Sequence, residues 1–171
     1  MKSFVVITSL ACLLAGCVSY SPSIPEGYTG PRATIKDSAT VHSASKVDYF
    51  VVAKIDGKIV KNSRVESIAA NQGRGFYMSP VVLTRDVPAR PITVDLVART
   101  EYAAPILALT SVVYQVAGQI TFTPEESKFY VVRGVLSAEY AAVWIEDQQT
   151  QKIVDKKIEA TGSAKLGFFQ K

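Results

Sequence analysis

One histidine and two cysteines are all this chain has of the side chains that most often carry chemistry near neutral pH. His42 stands between Val41 and Ser43 with no patterned acid beside it, and reads as an exposed loop or strand-end residue rather than a general base. Cys12 and Cys17 both lie near the N-terminus, so the body of the chain has no thiol for catalysis, for a disulfide or for a zinc site. No G-x-S-x-G, no D-x-[DN]-x-[DN]-G calcium loop and no phosphate-loop spacing occurs. The adjacent acids Glu125-Glu126 and Glu146-Asp147 point to opposite faces if they lie on strands, so neither makes a two-carboxylate site by itself. The formal charge is only +4, with the basic residues scattered, which argues against nucleic acid as a partner. No apolar run reaches the about 20 residues that cross a bilayer. These absences point away from an enzyme, a metal site or a cofactor.

What is present begins at the N-terminus. Lys2 is the only charged side chain before the apolar run Phe4 to Leu14, and small residues follow. A charged start, a short greasy middle and a small-residue end mark a secretory signal. Leu14-Ala15-Gly16-Cys17 resembles the lipobox of bacterial envelope lipoproteins. That resemblance implies cleavage between Gly16 and Cys17 and a covalent lipid on the Cys17 thiol. It also implies more than one acyl chain, which durable anchoring requires. Val18, where an aspartate would be the inner-membrane retention cue, implies the periplasmic face of the outer membrane. Three segments are expected: residues 1–16 as signal peptide, 17–31 as lipidated cysteine and flexible tether, and 32–171 as one folded domain. Ser, Pro and Gly crowd the stretch from Ser19 to Pro31, which is why it reads as a linker.

Beyond the tether the period is two. Arg32 to Lys36 alternates weakly, and in Lys46 to Ile55 the residues Tyr49, Val51, Ala53 and Ile55 share a face opposite Phe50, Val52 and Lys54. Asp56-Gly57 supplies hairpin chemistry. Ile92, Val94, Leu96 and Ala98 face one way, with Thr93, Asp95, Val97 and Arg99 facing the other, as in a half-buried antiparallel strand. Phe129 to Leu136 and Tyr140 to Ile145 make a further hairpin across Ser137-Ala138-Glu139, and Lys152 to Ile158 reads as a charged edge strand. Ser63-Arg64-Val65-Glu66 fits a capping box that would start a short helix. The apolar stretch Ala103 to Gly118, with Val112, Val113 and Val116, reads as a buried strand. The fold class that follows is all-β, an antiparallel sandwich.

Ile55-Asp56-Gly57-Lys58, Val87-Pro88-Ala89 leading into Ile92 to Leu96, and Phe122-Thr123-Pro124-Glu125 leading into Phe129 to Val132 carry a second resemblance. These stretches are similar to the small immunoglobulin- or transthyretin-like domains of envelope lipoproteins, including the PEGA-like group. That implies a binding or scaffolding role with no shared catalytic residues. The expected function is a non-enzymatic, lipid-anchored envelope module whose protein partner docks on a strand edge or on an apolar patch from Ala103 to Gly118. The alternative is a small-molecule or glycan receptor built on Tyr102, Tyr114, Tyr130, Tyr140 and Trp144. Asn71-Gln72-Gly73-Arg74-Gly75 is the candidate binding loop, since two glycines around an arginine can offer backbone N–H groups and a guanidinium to an anion.

Overall fold

Valine, isoleucine and aromatic residues at alternate positions favour pleated, half-buried strands. The computed structural model, which describes residues 19–171, folds them into two sheets. In chain order the first elements are β1 (Arg32–Lys36), β2 (Ser38–Ser43), β3 (Lys46–Ile55), β4 (Lys58–Ile59), α1 (Ser63–Ala70) and β5 (Thr84–Pro88). There follow β6 (Ile92–Tyr102), α2 (Pro105–Thr110), β7 (Gln115–Phe122), β8 (Phe129–Leu136), β9 (Ala141–Asp147) and β10 (Ile158–Glu159). One sheet runs β10-β9-β8-β1-β5 and the other β2-β3-β6-β7, with β4 added to β3. This is the expected all-β sandwich. It is not wholly antiparallel, because β1 pairs with β8 in parallel. Gly16 and Cys17 lie outside the described residues.

The inner faces meet in one core. Ile35, Tyr130, Val132, Val143 and Ile145 from the first sheet pack against Phe50, Val52, Val94, Leu96 and Ile120 from the second. Phe122 and Tyr130 meet edge to face across it, their ring centres 5.5 Å apart. Gly134 sits opposite Phe50, and a Cβ there would run into that ring and come within 2.6 Å of the Ala142 carbonyl oxygen. Only glycine lets β8 approach so closely.

Between β1 and β2 the chain passes from one sheet to the other across a single residue, Asp37. Its carboxylate is fully buried and fully used. Arg85 of β5 donates from both Nη atoms at 2.7 Å, Ser63 from its backbone N–H at 2.8 Å and its hydroxyl at 3.0 Å, and Val52 from its N–H at 3.1 Å. The Val52 N–H falls between the stretches of β3 that pair with β2 and with β4, where no neighbouring strand could receive it. One carboxylate thus ties both sheets and the start of α1 together.

The structure departs from the sequence reading in five places. A register shift between Val52 and Lys54 inserts a bulge in β3, which flips the alternation. Ile55 therefore joins the main core, while Tyr49 and Val51 pack with Val47 and Met78 in a separate small cluster on the outer side. Ala103 to Gly118 is not one strand: Pro105 sits in the first turn of α2, and β7 starts only at Gln115. Proline lacks the N–H a central strand needs but suits a helix start. Lys152 to Ile158 is mostly irregular, pairing only at Ile153 and through Ile158 in β10. The helix at Ser63 is present, yet its cap is Asn62, whose side chain accepts from the Val65 N–H at 3.2 Å; the Ser63 hydroxyl is committed to Asp37. The expected tether touches the body as well, since the Ser21 N–H donates to the Ile59 carbonyl at 2.8 Å and the Ala89 N–H to that of Pro31 at 2.9 Å.

Candidate binding groove

The two helices and the loop between α1 and β5 leave a groove beside the far end of β6. Its volume is about 600 Å³ and its lining is mostly apolar. Arg64 and Ile68 come from α1, and Asn71, Gln72, Gly73, Gly75 and Met78 from the loop. Arg99 to Ala103 form the floor at the end of β6, and Pro105, Ala108 and Leu109 of α2 form the opposite wall with Val113 and Lys171. Such a concave, apolar site with a few converging polar groups is the usual form of a ligand pocket.

Local chemistry holds each wall. Gly73 and Gly75 reverse the chain with φ of 79° and 64°, values that cost a side chain strain. The Met78 N–H donates to the Ala44 carbonyl at 2.8 Å and the Ala103 N–H to that of Ser45 at 3.0 Å, so the β2–β3 turn fastens both sides. Lys171 Nζ donates to the carbonyls of Leu109 at 3.3 Å and Ser111 at 2.5 Å, closing the end of α2. The Tyr102 hydroxyl donates to the Val112 carbonyl at 3.0 Å.

The charged part of the lining is a cluster of three. The Nε–H groups of Arg64 and Arg99 both donate to one oxygen of Glu101, the second at 2.9 Å, and Arg99 Nη1 reaches Gln115 Oε1 at 2.6 Å. Two guanidinium groups share one carboxylate, which leaves a net positive charge on a half-buried wall. Beneath lies Tyr49, in the same small cluster as the wall residue Met78. Its hydroxyl is buried with no hydrogen-bond partner among the described residues. Burial raises the Tyr49 pKa above its ordinary value; the nearby Ser67 hydroxyl lowers it and the Glu101 charge raises it further.

The candidate loop Asn71 to Gly75 does line this groove, in a different manner from the one its sequence implied. The Asn71 side chain is spent internally, donating to the carbonyls of Ser67 and Ser79 at 2.7 and 2.8 Å and accepting from the Ser79 N–H at 2.9 Å. Arg74 is exposed and is not among the lining residues. The guanidinium groups at the groove are Arg64 and Arg99, which sequence reasoning passed over. The period-two alternation of β6 puts Arg99 and Glu101 on one face, and that was the available signal.

The other singled-out residues do not converge. Among the five aromatics only Tyr102 lines the groove. Tyr130 is in the core, and Trp144 on β9 lies under Lys157 with Nζ 4.4 Å from its ring centre. Tyr140 bonds Glu159, and Tyr114 pairs with Lys165. His42 does have an acid partner after all: Nε2 is 2.7 Å from Asp48 Oδ2, while Thr100 donates to Asp48 Oδ1 at 2.7 Å. No nucleophile is hydrogen-bonded to that imidazole among the described residues. Glu146 faces Arg133 at 3.0 Å and Asp147 faces Lys128 at 3.3 Å, so those neighbouring acids serve separate ion pairs. Among the described residues no cluster of His, Cys, Asp and Glu could hold a metal, and no helix is long and apolar enough to cross a membrane. Comparison of the chain with family models, curated proteins and solved structures found no match.

Proposed function

We propose that the chain is a non-enzymatic binding module of the bacterial envelope, held at the periplasmic face of the outer membrane by lipid on Cys17, with the groove between α1 and α2 as its binding face. The observation that carries the reading is the groove itself. It is open and apolar, and among its lining residues Ile68 of α1 and Leu109 of α2 are 37 and 41 % exposed. Exposed apolar side chains gathered at a concavity mark a site that another molecule covers. The stretch expected from sequence to present an apolar patch, Ala103 to Gly118, supplies one wall of it. The address rests on the N-terminal sequence: Lys2, the apolar run Phe4 to Leu14, Leu14-Ala15-Gly16-Cys17 and Val18.

Fractionation tests the anchor. The wild-type chain should sediment with outer-membrane fragments and the Cys17→Ala chain should not; co-sedimentation of both would contradict the proposal. Intact-mass measurement should find a diacylglycerol-sized addition on a chain that starts at Cys17.

A further inference from the structure

We propose that the groove takes a single-chain fatty-acid anion, with the carboxylate at Arg64 and Arg99 and the alkyl chain along Ile68, Met78, Ala108 and Leu109. This rests on the groove being the binding face of the module. Three observations favour that chemistry.

The first is charge. Arg99 and Glu101 have side chains only 17 and 13 % exposed, and both arginine Nε–H groups converge on the one carboxylate. A surplus positive charge on this half-buried wall is stabilised by an anion. Neither Nη atom of Arg64 donates to another described residue, so the flat fork is open to a second carboxylate. Lys171 does not compete, since its ammonium caps α2. The second is shape: about 600 Å³ of mainly apolar space is the size and character of a small-molecule site. The third is what the groove does not offer. A sugar wants several hydrogen-bonding groups and an aromatic platform, and the one aromatic, Tyr102, has its hydroxyl on Val112. An extended peptide wants a strand edge. β6 is flanked by β3 along its length and by β7 and Tyr114 as far as Thr100, which leaves no strand-length edge at the groove.

The test uses the full chain in lipid nanodiscs, a diazirine-bearing dodecanoic acid as probe, and peptide mapping of the label. Label should fall on the segments holding Ile68, Met78 and Leu109. Dodecanoate should compete at least about tenfold better than dodecan-1-ol, the difference a charge-assisted hydrogen bond makes. From octanoate to dodecanoate each methylene should improve competition about fourfold, equivalent to about 0.8 kcal/mol. Arg64→Gln should weaken labelling about tenfold in a chain whose urea melt shows it still folded under the labelling conditions. Ala108→Trp, which fills the groove and leaves the arginines alone, should abolish it. Label spread over exposed apolar residues such as Phe129 and Phe169, or equal competition by the alcohol, overturns the inference. If the fatty-acid arms fail while a protein is trapped from the α2 rim, the ligand class falls and the binding module stands. If both fail, the groove is not a binding face and both readings fall.

Discussion

Replacing Arg85 by methionine is the severest structural test short of the core. Asp37 is wholly buried and accepts five hydrogen bonds, two of them from the Arg85 guanidinium at 2.7 Å. Methionine fills much of the same volume but leaves the carboxylate charged in the interior with only neutral donors around it. Breaking a buried pair in this way costs about 3–5 kcal/mol. Against the about 5–15 kcal/mol that holds a domain of this kind, that is a large fraction. For a chain of this size it lowers Tm by about 6–20 °C. Urea melts followed by the fluorescence of Trp144, the only tryptophan, give the number directly. The double variant Asp37→Asn with Arg85→Met removes both charges and should be more stable than the sum of the single losses by at least about 1 kcal/mol. A cost below about 1 kcal/mol for Arg85→Met, or strict additivity in the double variant, would refute the assignment of Asp37 as the tie between the sheets.

Other consequences are as concrete. Gly134→Ala should cost about 1–3 kcal/mol through overpacking against Phe50, and Phe50→Leu in the same chain should recover part of it; an unchanged melt would show that β8 has room to move. Asp147 accepts the backbone N–H of Thr150 at 2.8 Å and of Gln149 at 2.9 Å, and pairs with Lys128. The Thr150 N–H first, and then Lys128, hold its pKa below the usual carboxylate value. A depressed pKa stabilises the fold above the unfolded value of about 3.9, and that contribution fades as pH falls through the folded value. The stability gap between wild type and Asp147→Asn should therefore be present at neutral pH and close in strong acid; a gap independent of pH would contradict it.

Much of the sandwich was legible because its signals are local. Ile92 to Ala98 alternates without interruption, and the observed strand buries the residues that the alternation picked out. Asp56 and Gly57 turn with φ of 49° and 76°, as a residue pair tolerant of positive φ should. The errors have a different origin. A bulge adds a residue without leaving a mark in composition, so the face of Ile55 could not be read from period two. In Ala103 to Gly118 the β-branched valines belong to β7 and its approach, and they masked the helix start that Pro105 signals. The C-terminal stretch has no alternation, yet the Gln115 N–H donates to the Ala164 carbonyl and the Leu166 N–H to that of Val113, both at 2.9 Å, which pairs it to the start of β7 and the residues just before. The charged cluster was illegible for the plainest reason: Arg64 and Glu101 are far apart in sequence and meet only when α1 lies across the end of β6. His42 and Asp48 likewise needed the β2–β3 hairpin to bring them together.

Placing a photo-crosslinking residue at Leu109, which lines the groove and is 41 % exposed, and another at Phe129, 59 % exposed on the other sheet, in the cells that make the chain probes the binding face most directly. A discrete adduct from Leu109, lost when Ala108→Trp fills the groove and absent from Phe129, is the predicted result. Equal trapping at the two positions, or none at Leu109, would contradict it.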